Sequence, residues 1–253
     1  MIIAKNIQQW QEFRNTIRPK HQLGLVPTMG ALHEGHKSLI QESIRDNNYT
    51  VVSIFVNPTQ FNNSEDLDNY PSTLEKDLEN LKAWGVDGVF LPTPKEIYPY
   101  DFTFFVDENN DSLGLCGQDR PGHFKGVLTV VMKLLNITKA HRAYFGEKDF
   151  QQYRLIKNMA EAFFMDVEIL GVATKRDHEG LALSSRNLRL NAQELKTAQQ
   201  VNKVLASPQW SLEERKQKIE NLGLKIDYLE EHWGRRFIAA QIGPVRIIDN
   251  VSI

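Results

Sequence analysis

Residues 27–36, Pro-Thr-Met-Gly-Ala-Leu-His-Glu-Gly-His, hold the densest chemistry in the chain. His33 and His36 stand three apart, which puts both on one face at the start of a helix. Gly30 and Gly35 let a bulky ligand lie close to the backbone. Imidazoles beside the N–H groups of a helix N-terminus suit a phosphate. Spacing alone leaves three readings open: a phosphate site, half of a zinc site, or two surface histidines.

Four further clusters carry reactive side chains. Asn57-Pro58-Thr59-Gln60-Phe61 offers neutral amides that can donate to a carboxylate and accept from a hydroxyl. It is followed by an acidic loop, Asp66-Leu67-Asp68-Asn69-Tyr70-Pro71. Arg120-Pro121-Gly122-His123-Phe124 sets a guanidinium and an imidazole beside a glycine, fit either to meet an anion or to cap a loop. Gly146-Glu147-Lys148-Asp149 offers a tight turn, a point positive charge and an acceptor for ribose hydroxyls, with Gln152 one helical turn beyond Asp149. Leu183-Ser184-Ser185-Arg186-Asn187 combines hydroxyls with an arginine, which suits a polyphosphate and equally a helix cap.

The elements that must position these clusters alternate. Apolar, β-branched runs at 23–26, 50–56, 86–91, 142–145 and 167–173 predict strands. Between most of them lie helical patterns: Leu74, Leu78 and Leu81; Val127, Val130, Val131, Leu134 and Leu135; Leu155, Ile156, Met159 and Phe163. Such alternation predicts an α/β fold with a parallel sheet and right-handed crossovers. Ligands of such sheets bind beyond the carboxyl ends of the strands. The clusters at 27–36, 57–60 and 146–149 each follow a predicted strand, so they are expected in one crevice.

After about residue 175 the pattern changes. A polar turn at 175–180 leads to predicted helices at 191–205 and 211–222, with Asn191 and Ser211 as N-caps. Short strands are predicted at 224–229 and 245–248. This reads as a smaller α+β domain that must pack on the first.

Composition bounds the class. The 253 residues carry a net charge of -2, which gives no basic field for nucleic acid. Cys116 is the single cysteine, so an internal disulfide is excluded. No apolar run approaches a membrane span, and residues 1–20 lack a signal-peptide core. A cytoplasmic enzyme is the expected class.

Taken in order, PTMGALHEGH, VNPTQF followed by DLDNYP, RPGHF, FGEKDFQQ and GLALSSRN resemble one family, the pantothenate synthetases (pantoate–β-alanine ligases). Segments 226–230 and 246–250 resemble it as well, and the stretch before them is short beside other members. The resemblance implies a Rossmann-like nucleotide- and pantoate-binding domain over 1–174 and a small lid domain over 175–253. It aligns His33-Glu34-Gly35-His36 with the HIGH signature of class I aminoacyl-tRNA synthetases, and Ser184-Ser185-Arg186 with their mobile phosphate loop. It implies that pantoate and ATP give pantoyl adenylate and pyrophosphate, and that β-alanine then releases AMP and leaves pantothenate.

By the same resemblance, ATP contacts fall on Met29, Gly30, Ala31, Leu32, His33, Glu34, Gly35 and His36. They continue on Gly146, Glu147, Lys148, Asp149, Lys175, Leu183, Ser184, Ser185 and Arg186, with Arg120 and His123 as further candidates. Gln60 and Gln152 hold pantoate, and Gln60 also touches β-alanine. His33, His36, Lys148 and Arg186 are expected to carry the chemistry by supplying positive charge. Mg²⁺ accompanies ATP with no assigned protein ligand; Asp77 is a candidate ligand or an ordinary exposed helical carboxylate. A homodimer through the N-terminal domain is implied. The rival readings are another nucleotidyltransferase of the same core, lacking the paired glutamines, and a non-catalytic nucleotide-binding module.

Overall fold

The structure, a computed structural model, describes residues 1–62 and 67–253. Among these residues, six strands form one parallel sheet: β1 (Ile2–Ala4), β2 (Leu23–Thr28), β3 (Tyr49–Ile54), β4 (Gly88–Phe90), β5 (Arg142–Gly146) and β6 (Glu168–Val172). Their order is β1-β4-β3-β2-β5-β6, and every neighbouring pair is parallel. Parallel strands covered on both faces read as unbroken apolar runs. Leu23, Leu25, Val26, Val51 and Val52 are accordingly buried. Each such side chain contributes roughly 1.5–3 kcal/mol of burial.

The five predicted strands all lie in this sheet. β1 was not predicted, because three residues are too few to display a period. The expected acidic loop begins at Asp66, which lies outside the described residues.

Helices α1 (Ile7–Thr16), α2 (Glu34–Asp46), α3 (Leu74–Ala83), α4 (Pro94–Ile97), α5 (Cys116–Asp119), α6 (His123–Thr138) and α7 (Phe150–Ala162) accompany the sheet. The leucine and valine periodicities fall on α3, α6 and α7. The chain runs from β2 through β3 to β4 on one side, then returns to β5 and β6 on the other. The carboxyl ends of β2 and β5 therefore flank the point where strand order reverses, where such sheets open a crevice.

The second sheet is antiparallel: β7 (Lys225–His232), β8 (Arg235–Ile242) and β9 (Val245–Ser252). Two strands were predicted here and three are present. β8 contains Ala239 and Ala240, weak strand formers, which hide it from a propensity reading. Its borders were the available signal. Trp233 and Gly234 both have positive φ, 50° and 69°, the mark of a two-residue hairpin turn.

One face of this sheet, with Tyr228, Phe237 and Ala239, joins the main core. The other, with Ile238, Ala240 and Ile242, packs on α8 (Ala192–Ala206) and α9 (Leu212–Asn221) through Ala198, Val201, Leu205 and Ile219. Asn191 and Ser211 cap these helices as predicted. No helix among the described residues is long and apolar enough to cross a membrane.

Candidate functional site

The loop after β2 turns sharply. Gly30 has φ 85° and Ala31 φ 52°, both left-handed. That region favours glycine and costs alanine of order 1 kcal/mol or more. Asp77 of α3 holds the turn. Its Oδ2 accepts the Ala31 N–H at 2.9 Å and its Oδ1 the Leu32 N–H at 2.8 Å. Thr73 Oγ1 donates to the same carboxylate at 3.1 Å. With both oxygens engaged and only 2 % exposure, Asp77 is a strut for this loop rather than a metal ligand.

His33 is the N-cap of α2 and His36 its third residue, and the two side chains form a reciprocal capping box. His33 Nδ1 accepts the Gly35 N–H at 3.1 Å, and His36 Nδ1 accepts the His33 N–H at 3.3 Å. A neutral ring whose Nδ1 accepts must carry its proton on Nε2. Both imidazoles thus present Nε2–H. Gly35 makes this possible: a Cβ there would stand 2.7 Å from the His33 ring.

Burial, then the neighbouring His33 and Lys148, pushes the His36 pKa down to about 3. Burial, then Lys148, also lowers that of His33. The sequence reading expected positive charge from these histidines. In the ligand-free site they are neutral donors, and formal charge rests with Lys148 and Arg186.

After β3 the chain makes a single 3-10 turn, Pro58–Gln60, preceded by Asn57. Asn57 is buried. It donates to Gln60 Oε1 at 3.0 Å and to the Gly126 carbonyl at 3.2 Å, and it accepts from Tyr98 Oη at 2.7 Å. Gly126 lets the turn seat on α6, since a Cβ there would lie 2.4 Å from the Thr59 carbonyl oxygen. Arg120 donates to the Gln60 carbonyl at 3.0 Å, and His123 Nδ1 lies 2.8 Å from it. Burial and then Arg120 push the His123 pKa down to about 4. These two residues brace Gln60 and, like it, line the cleft.

Gly146 ends β5, and Glu147–Asp149 forms a 3-10 turn into α7. The two glutamines that follow part company. Gln151 is buried, donating to the carbonyls of Asp111 and Gly114 and accepting from Cys116 N–H. Gln152 faces the cleft.

Beyond β6 the chain doubles back. Leu183 N–H donates to the Lys175 carbonyl at 2.9 Å, and Arg176 pairs with Ala182. Ser184 then caps the short helix Ser185–Arg189 through Arg186 N–H. Thr174 lines the cleft here, its hydroxyl buried without a partner among the described residues. Such a group is one that a ligand can satisfy.

A cavity of about 260 Å³ brings most of these residues together. Met29, His33, Gly35, His36, Gln60, Gly146, Lys148, Asp149, Gln152, Lys175, Leu183, Ser184, Ser185 and Arg186 line it. Gly30, Ala31 and Leu32 lie outside the lining; Ala31 and Leu32 are tied to Asp77, and the Gly30 N–H donates to Thr28 Oγ1. Glu34 pairs with Lys37 at 3.2 Å, and Glu147 turns to Arg235 at 3.4 Å.

Sequence reasoning missed the apolar wall formed by Phe55, Val127, Val130, Val131 and Leu134. An α6 stripe that lines a pocket has the same period as one that packs a core. A second cavity of about 460 Å³ adjoins the first through Lys148, Gln152 and Arg186 and opens toward β9. Among the described residues no cluster of three or more His, Cys, Asp or Glu side chains could hold a metal ion.

The chain was compared with known proteins. The family model described as pantoate-beta-alanine ligase matches residues 2–252. A pantothenate synthetase of Legionella pneumophila is 48% identical over 99% of both chains. One of Bdellovibrio bacteriovorus is 48% identical over the same shares. The crystal structure of a Francisella tularensis pantoate-beta-alanine ligase, complexed with beta-gamma ATP and beta-alanine, superposes with a TM-score of 0.95 at 44% identity. That match covers 100% of this chain and 97% of that one. A Thermus thermophilus pantothenate synthetase matches at TM-score 0.89 and 36% identity, covering 100% and 99%. These relatives are spanned almost end to end.

Proposed function

This chain belongs to the pantoate-beta-alanine ligase family, and from that membership we propose that it makes pantothenate through a pantoyl adenylate. A carboxylate oxygen of pantoate attacks the α-phosphorus of ATP. The bond from that phosphorus to the bridging oxygen breaks, and pyrophosphate leaves with the electron pair. The amine of β-alanine then attacks the acyl carbon, AMP departs, and the amine proton passes to solvent.

A carboxylate is nucleophilic at neutral pH, so the first step needs no general base. The difficulty is bringing one anion against another, which makes positioning and charge the main sources of rate. Lys148 and Arg186 supply charge. His33 and His36 supply Nε2–H hydrogen bonds to phosphate oxygens. Gln60 and Gln152 hold pantoate through neutral amides, which leave the carboxylate's nucleophilicity intact, while the apolar wall of α6 takes its methyl groups. Magnesium would enter on the phosphates of ATP and supply positive charge there; among the described residues no cluster of three or more ligating side chains is built for it.

Residues 1–174 bind nucleotide and pantoate, and 175–253 close the cleft from the other side. We place the protein in the cytoplasm, as a homodimer through its first domain.

The observation that carries this reading is the pairing in one cavity of two amide side chains with the histidine, lysine and serine–arginine groups. Purified protein given ATP, Mg²⁺, pantoate and β-alanine is expected to form AMP and pantothenate in equal amounts. Absence of both at saturating substrates would overturn the proposal. Pyrophosphate release that ignores β-alanine would favour another nucleotidyltransferase.

A further inference from the structure

The segment Arg246-Ile247-Ile248-Asp249-Asn250 has no part in the chemistry above, yet its last two residues reach both edges of the cleft. Successive strand residues point to opposite faces. Asn250 pairs with Phe237 in register and faces the large domain, while Asp249 pairs with Ile238 and faces α8. Asp249 takes Arg176 in two parallel bonds, 2.6 and 2.9 Å, next to Lys175. The Asn250 amide donates to the carbonyls of Glu147 and Lys148 at 2.8 and 2.9 Å. Its own Oδ1 accepts from Arg235 Nε at 2.6 Å, and Arg235 reaches Glu147 Oε2 at 3.4 Å. The Arg235 guanidinium also lies over the Phe150 ring, 4.5 Å from its centroid.

We propose that Asn250, oriented by Arg235, is a positioning residue for adenylation: it fixes the 3-10 turn from which Lys148 enters the cleft. Asn250 is 1 % exposed and lines neither cavity, so it acts through that turn and not on a substrate. A single 3-10 turn of three residues, Glu147–Asp149, leaves carbonyl acceptor sites open, and here a side chain about a hundred positions away occupies two of them. A lysine ammonium on a four-carbon stem is accurate only if its backbone is held. The proposal rests on the reading that Lys148 meets the phosphates of ATP.

The test separates the two half-reactions. Wild type, Asn250→Ala and Arg235→Lys are assayed for pyrophosphate release from ATP and pantoate. They are then assayed for pantothenate formation from synthetic pantoyl adenylate and β-alanine, which bypasses the phosphate step. Asn250→Ala is expected to lose about 10²-fold in the first assay, the scale of a displacement of roughly 1 Å, and to keep the second. Arg235→Lys, at a partly exposed residue, is expected to move the same way by less, and it decides the matter if Asn250→Ala does not fold. Equal losses in both assays that track a fall in melting temperature would make the role merely structural and overturn the proposal, as would no loss in either. A wild type that releases no pyrophosphate would instead overturn the function itself, and this inference with it.

Discussion

The two sides of the cleft are built on different length scales. At the β2–α2 side the chemistry is assembled locally. His33 and His36 cap each other's backbone within four residues, and Gly35 clears the space between. At the β5–α7 side the turn bearing Lys148 is held by Asn250 and Arg235, nearly a hundred residues on. The first arrangement is rigid as soon as a helix starts. The second exists only when the small sheet has docked. One cleft therefore combines a donor pair fixed by its own sequence with a cation fixed by tertiary structure.

The largest expected effect breaks the local side. If the proposed function holds, His36→Ala removes one donor at the phosphates and should cost on the order of 10²–10³ in pyrophosphate release. Its melting curve should shift little. Near-normal turnover with an unchanged melting curve would show that the pair is not at the reacting end.

A smaller effect sharpens the comparison through a long-range tie on the local side. Asp77→Ala leaves the N–H groups of Ala31 and Leu32 buried without an acceptor. At about 1–3 kcal/mol for each unpaired group, urea unfolding should register a loss of about 2–6 kcal/mol. A change within error would mean that the left-handed turn at Gly30 and Ala31 holds itself.

The smallest effect is on pH dependence. His36 and His123 are held near 3 and 4, below the ordinary 6.5. The unfolded chain takes up protons near pH 6.5 that the folded chain refuses. Stability is therefore full above pH 6.5 and falls as pH drops from there toward 4, by about 1 kcal/mol per pH unit for each group. His36→Gln should lessen that slope in urea titrations between pH 7 and 4.5. An unaltered slope would mean that His36 is already protonated in the folded state.

How far the sequence can be read follows the same division. The parallel sheet was legible because its strands are unbroken apolar runs and its helices keep a 3.6-residue period. The clusters at 27–36, 57–60 and 146–149 were legible because each lies within a few residues at the end of such a run, and the serine–arginine cluster because its residue types stand together. β8 was not, since Ala239 and Ala240 carry little strand preference and its hairpin turn begins with Trp233 rather than asparagine or aspartate. The pocket wall of Val130 and Val131 was indistinguishable from core. The bracing of Gln60 by Arg120 and His123 is a contact across about sixty residues, for which one sequence holds no local signal. Asp77 looked like an exposed helical acid because nothing nearby in sequence shows that it faces the loop after β2.

The capping box at the start of α2 also governs which atoms can react. Once Nδ1 of each imidazole is committed to a backbone N–H, Nε2 has a hydrogen and no lone pair. Such a nitrogen cannot bind zinc or copper unless the helix start gives up its cap. Nor can it attack phosphorus. Under the proposed function the imidazoles can therefore sit against an electrophilic triphosphate without becoming adenylylated, which leaves the substrate carboxylate unrivalled from that side.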